Sequence, residues 1–106
     1  MVSLSSYLLL GAFLFAAGLA CILIRRNMIQ VLMGVELIFN AAALNFVAFS
    51  HFTPSSLPQL ALSGQVVALF IIVLAASEAC VALALVLSVF RVFGTVHIDQ
   101  VGELRG

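Results

Sequence analysis

The sequence predicts an all-α integral membrane protein built from three transmembrane helices. Of its 106 residues, 65% are apolar and 8% charged, against about 45–50% and about 25% in a soluble domain. Mean hydropathy is +1.34. The apolar residues fall into three runs, each near or above the roughly 20 residues a helix needs to cross about 30 Å of hydrocarbon. A water-soluble globule and a disordered chain are both excluded by that composition. A chain of this length is one domain at most. Four basic and four acidic side chains cancel, so there is no basic patch for nucleic acid. A closed barrel is the other way to satisfy backbone groups in lipid, but its alternating segments of about ten residues are missing.

The first helix is expected at about 3–24. No charge precedes Arg25. A cleavable signal carries its basic residues before the apolar stretch, and here Arg25 and Arg26 follow it. The second is expected at about 27–50, interrupted only by Glu36. The run HFTPSSLP from His51 to Pro58 has two prolines and two serines and reads as a loop. The third is expected at about 62–91 and closes on Arg91. It exceeds the minimum length, so tilt or protrusion is expected. Residues 94–106 read as a polar tail.

Arginine placement sets the expected orientation. Arg25 and Arg26 lie in the first turn, and Arg91 and Arg105 follow the third span. With three spans, all four fall on one side, which the positive-inside rule makes cytoplasmic. The N-terminus and the proline loop then face outward. Arg25 and Arg26 are read first as topology anchors. Small residues suggest packing faces: Ala12, Ala16 and Ala20 on the first helix, and Ala76, Cys80, Ala84 and Ser88 on the third. Cys21 and Cys80 lie in apolar runs without CxxC spacing and are expected to be small buried fillers. Three helices form a thin bundle, so contacts with other chains are expected as well.

Two ionisable residues lie where charge is expensive. Glu36 is about 14 Å along its helix from the arginine-bearing end, and Glu78 about 20 Å from Arg91, at 1.5 Å per residue. An acidic residue mid-helix costs about 2.5–3.5 kcal/mol on insertion scales. Burial disfavours the charged form, and a carboxyl group poised between its two forms can take and give protons, as a transmembrane relay requires. If the two interact, they titrate as a pair. Asn40 falls one turn from Glu36 on the same face, where its amide could support the carboxyl. Asn45 lies near the opposite face. Small residues around Glu78 (AASEACVA) leave space for a helix or for water. The alternative is that both glutamates stay protonated and act as interhelical glue. The chain has no lysine, so a buried cationic partner would come from another subunit. His51, His97, Gln65, Asp99 and Glu103 are read as membrane-edge, helix-end or tail residues. No metal site, nucleophile–base set or phosphate loop is visible. This chain by itself is expected to hold no flavin, nicotinamide or iron–sulfur cluster.

The stretches RRNMIQVLMGVELIFNAAALNFVAF and GQVVALFIIVLAASEACVALALVLSVFR, with the ending GELRG, resemble the K or 4L-type subunit family of proton-pumping NADH:quinone oxidoreductase, respiratory complex I. The resemblance covers nearly the whole chain. Its most specific pieces are the RRN turn, GVELIFNA around Glu36, GQV, and AASEA around Glu78. It implies a three-helix subunit of the membrane arm of a bacterial inner-membrane translocase. Such a subunit packs beside A-, J- and antiporter-like N-type subunits. It also implies that Glu36 and Glu78 belong to a chain of buried charges. FMN, iron–sulfur clusters and quinone would sit on other subunits. The outer loop HFTPSSLPQLALS is longer than in many relatives. Subunits of multisubunit sodium/proton antiporters and of membrane hydrogenases resemble the same family and are the alternative functional reading.

Overall fold

The computed structural model describes residues 2–24 and 26–99. Arg25, Glu103 and Arg105 lie outside the described residues. The chain forms α1 (Leu4–Ile24), α2 (Met28–His51) and α3 (Pro58–Phe93). All three are long and apolar enough to cross a membrane, and this is a multi-pass membrane protein.

Local signals account for the helix ends. The Ser3 carbonyl accepts the N–H groups of Ser6 and Tyr7. The Asn27 side chain accepts from the N–H groups of Ile29 and Gln30, satisfying two of the donors that a helix start leaves open. α3 starts four residues before the expected 62 and ends two residues after the expected 91. Pro58 sits in the first turn of α3, where a missing N–H and a fixed φ are favourable, so the residue that read as part of a loop begins the helix instead. At the other end Gly94, at φ 71°, caps α3 in the left-handed region and donates its N–H to Phe90 O. At 1.5 Å per residue α3 is about 54 Å long, well beyond a bilayer's hydrocarbon core.

The helices lie in a row. α1 and α3 both pack on α2 and hardly on each other, and the molecule measures 62 × 23 × 19 Å. α1 meets α2 through glycines. A Cβ added to Gly18 would lie 2.7 Å from Gly34 O, and one added to Gly34 would lie 2.5 Å from Gly18 O. Tyr7 and Phe52 rings, 6.0 Å apart, join the start of α1 to the end of α2. On its other side α2 buries Ala43 and Ser50 and α3 buries Ala68, Ala75 and Val86. There the Ser50 hydroxyl donates to Ala61 O, and Gly64 rests close to Ser50 and Phe46.

Three expectations about packing are corrected. On α1, Ala12 and Ala16 are exposed and Ala20 only half-buried, and the helix turns Gly11 and Gly18 fully inward instead. On α3, Ala76, Cys80, Ala84 and Ser88 all lie on the exposed side. Alanine recurs on several faces of these helices, so its spacing does not choose between them; backbone approach does, and glycine permits the closest approach. Cys80 is therefore not a buried filler but exposed, while Cys21 is half-buried beside Gly34.

The start of the tail is also more than a solvated end. Asn27 and His97 form an antiparallel bridge, made by Met28 N–H to Val96 O and Ile98 N–H to Arg26 O, each 3.0 Å. The Arg26 guanidinium donates to Asp99 at 2.8 Å. Thr95 is buried, and the His97 N–H donates to its hydroxyl.

Candidate functional site

The position of Glu36 on α2 follows from helical periodicity. At about 100° per residue, Gly34, Ile38, Ala41 and Asn45 occupy the α1-facing side, and Leu32, Glu36, Ala43 and Ser50 the α3-facing side. Gly18 lies against Gly34 and Ile38, and Gly11 against Asn45 and Ala41. Glu36 therefore points into the α2–α3 seam. One of its oxygens, Oε1, is buried and has no hydrogen-bond partner among the described residues.

Two clefts flank that seam, and Glu36 lines both. One, of about 230 Å³, is formed by Val35 and Glu36 of α2 and Glu78, Ala82 and Val86 of α3, among others. The other, of about 350 Å³, is formed by Met33, Glu36, Leu37 and Asn40 of α2 and Ala79 and Leu83 of α3, among others. The fold thus brings Glu36 and Glu78 to one cleft and Glu36 and Asn40 to the other. Asn40 is exposed, and among the described residues no hydrogen bond joins it to Glu36. Glu78 is exposed on α3 and also lines an outward groove of about 400 Å³ with Ser77, Val81 and Leu85.

The arrangement has a direct chemical consequence. A buried carboxyl oxygen without a donor is costly, so Glu36 is incomplete among the described residues. An exposed carboxyl on a membrane-spanning helix is equally incomplete when its neighbourhood is hydrocarbon. The clefts beside both groups admit water or a side chain of another helix. Ala79 lines the cleft with Asn40, and Ala82 the cleft with Glu78.

Arg26 stands at the membrane-edge end, away from this site, and its pair with Asp99 is exposed on both sides. The hydrogen bond that Arg26 donates to Asp99, and then the charge of Asp99, hold the guanidinium further above its already high ordinary value. Sequence reasoning missed this bridge and the role of Asn27 as a cap. The alternation of polar Thr95, His97 and Asp99 with apolar Val96 and Ile98 is the period-two signal that could have revealed the extended segment. Among the described residues no group of three or more His, Cys, Asp or Glu side chains is placed to hold a metal.

Three apolar spans with carboxyl groups at the seam of the second and third define the class: a small multi-pass membrane protein with ionisable groups inside its spans. Residues 6–106 match the family described as NADH-ubiquinone/plastoquinone oxidoreductase chain 4L, and the chain belongs to that family. It is similar to NADH-quinone oxidoreductase subunit K of Desulfitobacterium hafniense, 47% identical over 105 residues that cover 98% of this chain and 96% of the relative. The subunit K of Nitrosomonas europaea is 45% identical over 107 residues, covering the whole of both chains. That of Acidobacterium capsulatum is 43% identical over 105 residues, covering 99% of each.

Proposed function

We propose that this chain is a membrane-arm subunit of a proton-translocating NADH:quinone oxidoreductase and that Glu36 and Glu78 relay protons within it. The observation that carries the relay is the buried Glu36 Oε1, without a hydrogen-bond partner among the described residues, at a cleft shared with Glu78. A carboxyl lacking a fixed donor can exchange its proton with water or with a second carboxyl admitted to the same space. Two such groups form the shortest chain a proton can follow. Asn40 supports the relay from the other cleft, by orienting water or a partner's side chain towards Glu36.

The chain contributes no redox site on this reading. FMN, iron–sulfur clusters and quinone belong to other subunits of the complex. The partners are the A-, J- and antiporter-like N-type subunits, which would cover the exposed faces of α1 and α3 and supply a donor or cation to Glu78. The complex lies in the plasma membrane of a bacterium, with the arginine-bearing end of this chain cytoplasmic. Arg25 and Arg26 anchor that topology.

The test is Glu36→Gln in the assembled enzyme. Gln keeps the shape and removes the exchangeable carboxyl proton. Assembly and NADH oxidation with an artificial electron acceptor are expected to stay within about twofold of the parent, while protons pumped per NADH oxidised fall severalfold. Full pumping stoichiometry in the variant would overturn the relay. Failure to assemble with normal pumping in whatever remains would favour the glutamates as interhelical glue.

A further inference from the structure

We infer that the segment Thr95–Asp99 is a clasp that sets the register of α3 against α2, and that Asp99, acting through Arg26, is a positioning residue for the Glu36–Glu78 pair. The α2–α3 seam is hydrogen-bonded at its two ends, and between them its packing is interrupted at Glu36. At one end Ser50 donates to Ala61 O beside Gly64. At the other, Met28 donates to Val96 O and Ile98 to Arg26 O. Between them lie the two clefts at Glu36, of about 230 and about 350 Å³. Glu78 stands about midway along α3 between Gly64 and Gly94, roughly 21 and 24 Å from them at 1.5 Å per residue.

Beside Glu36 the packing of α3 on α2 is interrupted by the two clefts, where α3 presents small Ala79 and Ala82 alongside Leu83 and Val86, so interlocking side chains oppose a slide of α3 along α2 less there. The bridge opposes it directly, because both sides of the bridge are tied to helix ends. Asn27 pairs with His97 and at the same time caps α2. Gly94 caps α3 and turns the chain back towards Asn27. A slide of one residue, about 1.5 Å, breaks both backbone hydrogen bonds. Arg26 and Asp99 hold the outer edge of that bridge by their ion pair at 2.8 Å.

The experiment uses the assembled complex in its membrane, with Cys21 and Cys80 replaced by serine and Met33→Cys with Leu83→Cys introduced. Those two positions line one cleft from the two helices. Bifunctional thiol reagents of increasing span report their separation. Asp99→Asn, and the stronger pair Asp99→Asn with Ile98→Pro, are expected to change which span cross-links best and to lower protons pumped per NADH at least twofold. NADH oxidation with an artificial acceptor should stay unchanged. The charge exchange Arg26→Asp with Asp99→Arg should restore both cross-link pattern and pumping. An unchanged cross-link pattern in both variants overturns the clasp whatever Glu36 does. No restoration by the exchange overturns Asp99 as its positioning residue. The pumping arm alone rests on the relay reading. A shifted pattern with full pumping overturns the positioning role, and Glu36→Gln in the same background shows whether the relay reading falls with it.

Discussion

Glu36 and Glu78 line one cleft from consecutive helices, yet they differ in surroundings: Glu36 buries an oxygen in the seam, whereas Glu78 is exposed. This asymmetry assigns them different dependence on neighbours. Glu36 is placed by this chain, whereas the surroundings of exposed Glu78 are left open by it. On the relay proposed above, Glu36→Gln should therefore lower pumping more than Glu78→Gln. If they relay in series, the double variant should lose little more than Glu36→Gln alone, since groups that act as a unit are non-additive. Pumping stoichiometry in the four enzymes checks this. Fully multiplicative losses would separate the two groups.

The Asn27 side chain accepts from Ile29 and Gln30, while its backbone neighbours carry the bridge to the tail. Asn27→Ala removes the cap alone, at about 0.5–2 kcal/mol, and Asn27→Ser should recover most of it. The thermal midpoint of the purified complex, or the fraction of subunit retained in membranes, would show the order parent, Ser, Ala.

The Arg26–Asp99 pair responds to salt and not to alkali. Both side chains are exposed, and exposed pairs are screened as ionic strength rises. Asp99 holds the Arg26 guanidinium above its ordinary value. A group whose folded value is raised contributes fully below its unfolded value and loses that contribution only as pH rises through the folded one. For arginine this window lies beyond any working pH. Amide exchange at Ile98, which donates to Arg26 O, should accelerate between about 50 mM and about 0.5 M salt. Arg26→Gln should show the fast rate at both.

Much of the fold is legible in the residues because the bilayer imposes it. Uninterrupted apolar runs mark the spans, and Glu36 and Glu78 stand out as their only acidic residues. Less visible is what depends on two segments at once. Pro58 reads as a loop residue until it is seen in the first turn of α3. The alanine and cysteine stripes have the right spacing but, apart from half-buried Ala20, do not face the neighbouring helix of this chain, since one helix's pattern does not say where its neighbour lies. That Glu36 and Glu78 share a cleft depends on the rotation of both helices. The pairing of Val96 and Ile98 with Arg26 and Met28 is made by backbone groups, which leave little trace in side-chain identity beyond the period-two alternation.

The glycines of α1 give the sharpest test of the helix packing, because two of them face equally close but different obstacles. A Cβ on Gly18 would lie 2.7 Å from Gly34 O, and a Cβ on Gly11 would lie 2.7 Å from Asn45 Oδ1. The first obstacle is backbone and cannot yield without separating α1 from α2. The second is the tip of a side chain that can rotate; its Oδ1 is buried and has no hydrogen-bond partner among the described residues, so moving it breaks no hydrogen bond there. Gly18→Ala should therefore cost about 1–3 kcal/mol, the range for overpacking, and deplete the assembled subunit. Gly11→Ala should cost much less, and Asn45→Ala should remove the remaining cost. Gly34→Ala, 2.5 Å from Gly18 O, should match Gly18→Ala. Ala16→Leu, on the exposed side of α1, should leave the α1–α2 contact intact. Equal losses for Gly11→Ala and Gly18→Ala, measured as subunit retained in membranes and thermal midpoint of the complex, would mean that the crossing of α1 and α2 is not set by this backbone contact.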